Sequence, residues 1–162
     1  MKNKTIWSNR FKSKTSQSFQ KIGSSIHIDK RLYEQDITAS LVHTQMLMKQ
    51  KIIKNEDGNK IINGLKKIKA QIDKGSFEFK EKYEDIHLNI EKALFEIIGP
   101  SAGFMHTARS RNDQVVTDFK LWIKQASNEI IKDISLVMKN LIKKAEKNTD
   151  TVMPGMTHLK NA

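Results

Sequence analysis

The densest group of reactive side chains lies in residues 107–114, which read Thr-Ala-Arg-Ser-Arg-Asn-Asp-Gln. Two of the four arginines in the chain, Arg109 and Arg111, stand here beside the hydroxyl of Ser110 and the amide of Asn112. A long helix is predicted to begin at this point, and free N–H groups with the positive dipole of a helix start favour anions. Arg adds two-pronged bonds to carboxylates. The pattern indicates a carboxylate-binding loop, and a capping loop with solvated arginines remains the alternative.

A second candidate is the segment of residues 154–158, Pro-Gly-Met-Thr-His. Histidine is the usual general acid or base near neutral pH, and the preceding turn would fix the direction of His158. Thr157 is suited to hydrogen-bonding a substrate carboxylate. A lone histidine is more often structural or merely exposed, so this segment does not by itself establish acid–base chemistry.

Two smaller candidates lie earlier in the chain. Glu84-Asp85-Ile86-His87 stands at the start of a predicted helix, where acidic residues suit capping and the helix dipole and His87 could face a cleft. Ser25, with Ser24, precedes another helix, although a flexible serine-rich linker would look the same. Histidines and carboxylates show no metal-ligand spacing along the chain, so no metal site is predicted.

Helices must position these groups. A first helix is predicted from Asp29, which can cap it, and a polar turn at residues 55–58 leads to a second helix that stops at Gly75. The two form an antiparallel hairpin. Their apolar stripes are Leu32, Ile37, Leu41, Val42, Met46 and Ile53 in the first helix, and Ile61, Leu65, Ile68 and Ile72 in the second.

A third helix is predicted over residues 84–98, ended by Gly99-Pro100, and an ordered loop over 101–111. Apolar residues in steps of three or four then predict one helix over 112–147, about 54 Å long at 1.5 Å per residue. Its apolar stripe needs partners, within a longer chain or between subunits. The predicted fold is all-α without a stable sheet: a helical hairpin and loop elements lead into a long helix of an incomplete central helical bundle.

Three regions follow from these patterns. Residues 1–24 are predicted to form an extended N-terminal arm, which Trp7 and Phe11 could pin to another surface. Residues 25–111 form an N-terminal helical domain. Residues 112–162 form the start of the central long-helix bundle domain.

Composition limits the classes of function. The 162 residues include no cysteine, which excludes disulfides, thiolate metal sites and cysteine nucleophiles. No apolar run follows the basic start, so neither a secretory signal nor a membrane span is predicted. The net charge of +11 raises the alternative of a nucleic-acid binder. The lysines are spread along the chain, however, and a genome rich in A/T codons would produce the same composition, so no nucleic-acid partner is predicted.

Together the segments resemble one family, the argininosuccinate lyases of the fumarase and aspartase superfamily. The resemblance extends from about Trp7 through the rest of the chain, and the string over residues 106–114 is its most specific part. The other matching elements are Ser25-Ile26 followed by Leu32-Tyr33 and Asp36, Glu84-Asp85-Ile86-His87, and Pro154-Gly155-Met156-Thr157-His158-Leu159.

The resemblance implies a cytoplasmic homotetramer of arginine biosynthesis that uses no cofactor. It would cleave argininosuccinate reversibly to arginine and fumarate, on three all-α domains with a central helix bundle shared among subunits. His158 matches the catalytic histidine. The implied substrate-binding and active-site positions are Ser25, His87, Arg109, Ser110, Arg111, Asn112 and Thr157.

The sequence departs from the family pattern beside His158. Met156 replaces an aromatic residue, and Lys160 and Asn161 replace Gln and Arg. The family's mobile loop with its catalytic serine lies beyond residue 162, so this chain is expected to be a fragment that is inactive alone. Alternatives are another lyase of the superfamily, a non-catalytic helical assembly module, and the nucleic-acid binder.

Overall fold

The computed structural model describes residues 16–162, so the expected anchoring through Trp7 and Phe11 lies outside the described residues. Helix α1, Gln17–Gly23, replaces the end of the predicted extended arm. The Oγ of Ser16 accepts a hydrogen bond of 3.2 Å from the N–H of Phe19 and caps this helix. A cap followed by residues compatible with helix explains why the segment is not extended.

The first long helix begins later than predicted. Helix α2, Ile26–Asp29, and a short 3-10 helix, Lys30–Leu32, precede α3, Tyr33–Lys49. Asp29 therefore ends α2 and does not cap the long helix. Its carboxylate accepts hydrogen bonds from the hydroxyl of Ser25 and the N–H of Ile86 instead, and so joins two distant segments.

The predicted antiparallel hairpin is confirmed. Helix α4, Asn55–Asp73, packs along α3, and the Nζ of Lys69 near its end lies 3.1 Å from Glu34 Oε1 near the start of α3. Residues 55–58 are not the turn, because they form the first turn of α4, where Glu56 and Asp57 complement the helix dipole. The chain reverses over residues 50–54 instead.

Helix α5, Ile86–Ile98, also matches the prediction. The carboxylate of Asp85 accepts a 2.7 Å hydrogen bond from the N–H of Leu88 and caps its start. Gly99 ends it with φ of +69°, a value that favours glycine. Residues 99–106 then form a 3-10 helix, which covers the first half of the ordered loop predicted over residues 101–111.

The core of the first part of the chain lies between α3, α4, α5 and this 3-10 helix. The predicted stripe of α3 is wrong in part, because Val42 and Met46 are exposed and the buried face carries Asp36, Ser40 and Thr44. The buried apolar cluster consists of Ile26, Ile37, Leu47, Ile53, Ile61, Leu65, Ile68, Ile86, Ile90, Leu94, Ala102 and Met105.

Helix α6, Arg111–Glu146, confirms the predicted 36-residue helix. The chain forms two compact units, the first extending to Trp122 and the second comprising residues 123–162. In the first unit, α6 buries two polar residues, Gln114 and Asp118. In the second, its apolar side chains are exposed, among them Ile134 and Leu141.

The second unit ends in a minimal β-hairpin, which the sequence did not predict. Strands β1, Met156–Thr157, and β2, Lys160–Asn161, are antiparallel with Met156 opposite Asn161. Two residues with positive φ form the turn, as in common two-residue hairpins. Such a short ladder contributes little stability, and the all-α class is confirmed. Within residues 16–162, no helix is long and apolar enough to cross a membrane.

Candidate functional site

Ser25 and the Glu84–His87 segment, nearly sixty residues apart in sequence, meet at one carbonyl group. The carbonyl oxygen of Glu84 accepts hydrogen bonds from the N–H groups of Ser25 and Ile26, at 2.8 and 3.0 Å, and from Ser24 Oγ at 3.2 Å. Glu84 has φ of 63°, an uncommon conformation for a non-glycine residue. The Ser25 hydroxyl donates to Asp29 Oδ2 at 2.6 Å. The structure thus brings two predicted candidate segments together.

The loop predicted to bind a carboxylate forms a capping box at the start of α6. The Oγ of Ser110 accepts from the N–H of Asn112 at 3.2 Å, and Asp113 Oδ2 accepts from the N–H of Ser110 at 3.0 Å. These bonds satisfy two N–H groups of the helix start, so capping by this loop is confirmed. Carboxylate binding by the loop stays a prediction. The side chain of Asn112 is exposed and makes no hydrogen bond to another described residue.

Both guanidinium groups of the loop contact protein groups. Arg109 Nη1 and Nη2 donate to Ser40 Oγ, each at 3.3 Å, so its side chain points into the fold. Arg111 donates to Gln114 Oε1 and Glu91 Oε2, both at 2.8 Å, and remains partly exposed. Of the two, Arg111 keeps N–H groups near the surface for a ligand.

Beneath the loop lies a buried polar cluster, formed by Asp36 of α3, His87 of α5, and Asp118 and Gln114 of α6. His87 Nδ1 lies 3.2 Å from Asp36 Oδ1 and 3.3 Å from Asp118 Oδ2. Gln114 Nε2 donates to the same Asp36 oxygen. All four side chains are almost completely buried. The expectation that His87 faces a cleft is therefore wrong: its ring binds α3 and α6 inside the fold.

Burial and mutual charge set the protonation of the cluster. Burial, and then the charge of Asp36, raise the pKa of Asp118 to about 8. Burial would also raise the pKa of Asp36, but the hydrogen bond and charge of His87 outweigh it and lower that pKa. Burial would lower the pKa of His87, yet its hydrogen bond with Asp36 and that residue's charge raise it. One aspartate is thus ionised and the other protonated at neutral pH.

Sequence spacing gave no sign of this cluster, because 51 residues separate Asp36 from His87 and 78 separate Asp36 from Gln114. One atom of each of the two carboxylates and of the imidazole lies within 4.8 Å of the others. Gln114 already donates to one Asp36 oxygen, and the charge of Arg109 acts on both carboxylates. These groups stabilise one ionised carboxylate but leave three carboxylate oxygens without a hydrogen bond, so we interpret the cluster as one that holds a proton.

A groove of about 470 Å³ lies next to the loop in the first unit. Its walls include Val42, Met46 and Leu121, with Arg109 and Asp113 at its polar side. Val42 and Met46, which follow the helical spacing, thus line this groove and lie outside the core. A lining of this kind does not suit a substrate with several carboxylates.

The remaining predicted residues belong to the second unit. Thr157 lies in β1, and His158 follows in the turn with φ of 48°. Both side chains are exposed. The positive φ of His158 is the backbone conformation that the two-residue hairpin turn requires, and it sets the direction in which the side chain leaves the backbone.

The chain is similar to known proteins over nearly its whole length. A protein family described as lyase matches residues 9–162. The chain is 56% identical over 160 residues to the argininosuccinate lyase of Pelagibacter ubique. The matched region comprises 99% of this chain and 35% of that protein. The chain is 48% identical over 157 residues to the argininosuccinate lyase of Bartonella bacilliformis, covering 97% of this chain and 34% of that protein. The chain therefore spans about a third of the length of these relatives.

Proposed function

Since the chain belongs to the lyase family, we propose that the protein cleaves argininosuccinate reversibly to arginine and fumarate. The observation that carries this proposal is the 56% identity, over 160 residues, to a protein named argininosuccinate lyase. Because that relative is about three times as long, the proposed activity is that of a protein of the relatives' full length. The resemblance also supports a role in arginine biosynthesis, in the cytoplasm, as a homotetramer without a cofactor.

The reaction is a β-elimination. A base removes the proton from the carbon next to a carboxylate, and negative charge builds up on that carboxylate. The bond from the neighbouring carbon to the guanidinium nitrogen then breaks, the nitrogen gains a proton, and fumarate and arginine separate. Hydrogen-bond donors held in place before the reaction stabilise the developing charge most effectively.

We assign the donor role to the start of α6. The Asn112 amide is exposed, and Arg111 is half-buried with N–H groups beyond its two internal bonds. The capping bonds of Ser110 hold the backbone at the start of α6 and do not involve the side-chain amide of Asn112 or the guanidinium of Arg111. Ser25 and Thr157 are assigned to substrate binding and His158 to proton transfer, because they match the family's positions.

The Asn112→Ala variant tests this assignment in the full-length gene product. We expect kcat for fumarate release from argininosuccinate to fall by about 10²–10³-fold, the usual effect of losing one such donor. Asn128→Ala is the matched control, because Asn128 is an exposed asparagine of the same helix in the second unit. Equal activities of the two variants would remove Asn112 from the site.

A second candidate function is a non-catalytic helical assembly module. The observation that favours it is the row of exposed apolar residues on α6, including Ile130, Ile134, Val137 and Leu141. Such a surface is typical of a protein interface. Assembly without any lyase activity in the full-length product would favour this candidate, whereas a tetrameric lyase uses the same surface and also turns over argininosuccinate.

A further inference from the structure

The buried cluster under the loop joins three helices through groups that cannot all be charged. Asp36, His87 and Asp118 come from α3, α5 and α6, and each is at most 2% exposed. Asp36 Oδ2 and both oxygens of Asp118 accept no hydrogen bond of normal geometry from the described chain, although His87 Nδ1 lies 3.3 Å from Asp118 Oδ2. Gln114 and His87 serve one oxygen of Asp36, so a second ionised carboxylate beside it would be a buried charge with too few donors, which is strongly unfavourable.

A single proton removes this conflict. If one carboxyl of the pair is protonated, it becomes a donor to the other, and the pair carries one negative charge instead of two. The cationic groups that face Asp118 are His87 from α5 and Arg109 from the loop. Asp85 acts in turn on His87, and Arg111 and Glu91 act on Arg109. The remaining negative charge is therefore stabilised by the guanidinium of Arg109 and by an imidazole whose pKa is raised.

The same cluster holds both sides of the candidate loop. Arg109, just before Ser110, donates to Ser40 on the buried face of α3. The charges of Asp36 and Asp118 also act on its guanidinium group. Gln114, just after Asp113, donates to Asp36 and accepts from Arg111. Residues 110–113 lie between these two attachment points.

We propose that Asp36 and Asp118 share one proton, and that this protonated pair positions the loop of residues 110–113 by holding Arg109 and Gln114 on either side of it. The inference goes beyond the proposed activity, because it concerns what holds the loop and not what the loop binds. Asp118 is a positioning residue in this scheme, not a catalytic one.

The proton has a consequence for stability. The pKa of Asp118 is about 8 in the folded chain, above the value of about 3.9 expected when unfolded. A carboxyl whose pKa is raised by folding makes its full contribution to the stability of the folded chain below about pH 4. This contribution is lost as the pH rises towards 8. His87, whose pKa is also raised, adds a loss in the upper part of this range. Asp36, with a lowered pKa, acts in the opposite direction and only in acid.

The first test uses Asp118→Asn, which keeps the shape and a donor but cannot lose a proton. Denaturant unfolding of the chain from about pH 5 to 7 should show a wild-type unfolding constant that rises about tenfold per pH unit relative to the variant. Asp133→Asn, an exposed aspartate on the same helix, should follow the wild type. Parallel pH profiles for wild type and Asp118→Asn would overturn the shared proton.

Carbon-13 NMR of the aspartate carboxyls in the wild-type chain gives an answer even if the variant does not fold. We expect one carboxyl, assigned to Asp118, to titrate several pH units above the others. Ordinary titration of every aspartate would contradict the proposal. Binding of one equivalent of Co²⁺ that raises stability, and that Asp118→Asn abolishes, would also overturn it, because the cluster would then be a metal site.

Hydrogen–deuterium exchange tests the positioning role. At about neutral pH, the peptide covering residues 107–114 should exchange as slowly in Asp118→Asn as in the wild type, because asparagine replaces the protonated acid. In Asp118→Ala the same peptide should exchange faster, while the α4 peptides stay protected. Unchanged protection of the loop in a folded Asp118→Ala chain would show that the cluster does not hold it.

Discussion

Aspartates of the first unit illustrate how the surroundings of a residue decide its role. Asp85 and Asp113 are both partly or fully exposed and cap the starts of α5 and α6 through backbone N–H groups. Asp118, five residues after Asp113, is completely buried, and its pKa rises to about 8 through burial and the neighbouring Asp36. The capping roles follow from local sequence, and the capping of α5 by an acidic residue was predicted.

Asp118 could not have been recognised from the sequence. It stands in a polar gap of the α6 pattern, where an aspartate is ordinarily solvated. Its partners, Asp36 and His87, reach it only through packing of three helices. Local strings did point to residues 84–87 and 107–114, because capping signals and clustered arginines are visible there, but not to the group that connects them.

At the residue scale we predict the cost of losing the α5 cap. Asp85→Ala removes the acceptor for the Leu88 N–H, so the free energy of unfolding should fall by about 1 kcal/mol. Chemical denaturation of the chain measures this change. Asp133→Ala, at an exposed position without a cap, should change it by less than about 0.5 kcal/mol, and an equal loss in both variants would contradict the capping role.

At the scale of elements, helical periodicity predicted α4, α5 and α6 well. Their apolar residues recur on one face, so spacing alone locates them. Helix α3 was harder, because its buried face carries Asp36, Ser40 and Thr44, while Val42 and Met46 line a surface groove. A polar buried face is stabilised by specific partners that periodicity does not describe, and the minimal hairpin at residues 156–161 depends on backbone turns alone.

Truncating an apolar side chain in the core should cost more stability than truncating one in the surface groove. Leu65→Ala empties a site in the core between α4 and its neighbours, so the free energy of unfolding should fall by about 2–5 kcal/mol. Val42→Ala, at a position that spacing placed in the core but that is 61% exposed, should cost less than about 0.5 kcal/mol. Denaturation midpoints of the two variants measure the difference. Similar losses would mean that the face of α3 has been assigned wrongly.

At the scale of the whole molecule, each of the two units contains some of the residues assigned to substrate binding or proton transfer. The first holds Ser25, the loop at the start of α6 and the cluster beneath it, and the second holds Thr157 and His158. The exposed apolar side chains of α6 fit the sequence prediction of a helix that belongs to a larger bundle. The relatives, about three times as long as this chain, have the additional length that such a bundle requires.

The measurement that tests the central claim most directly is fumarate release by the full-length gene product from argininosuccinate, with adenylosuccinate and aspartate as competing candidates. We predict turnover of argininosuccinate alone, because the relatives that are 56% and 48% identical to the chain are both named argininosuccinate lyase. Turnover of adenylosuccinate or aspartate instead would assign the protein to another lyase. No turnover of any of the three by a folded, assembled protein would contradict the proposed function.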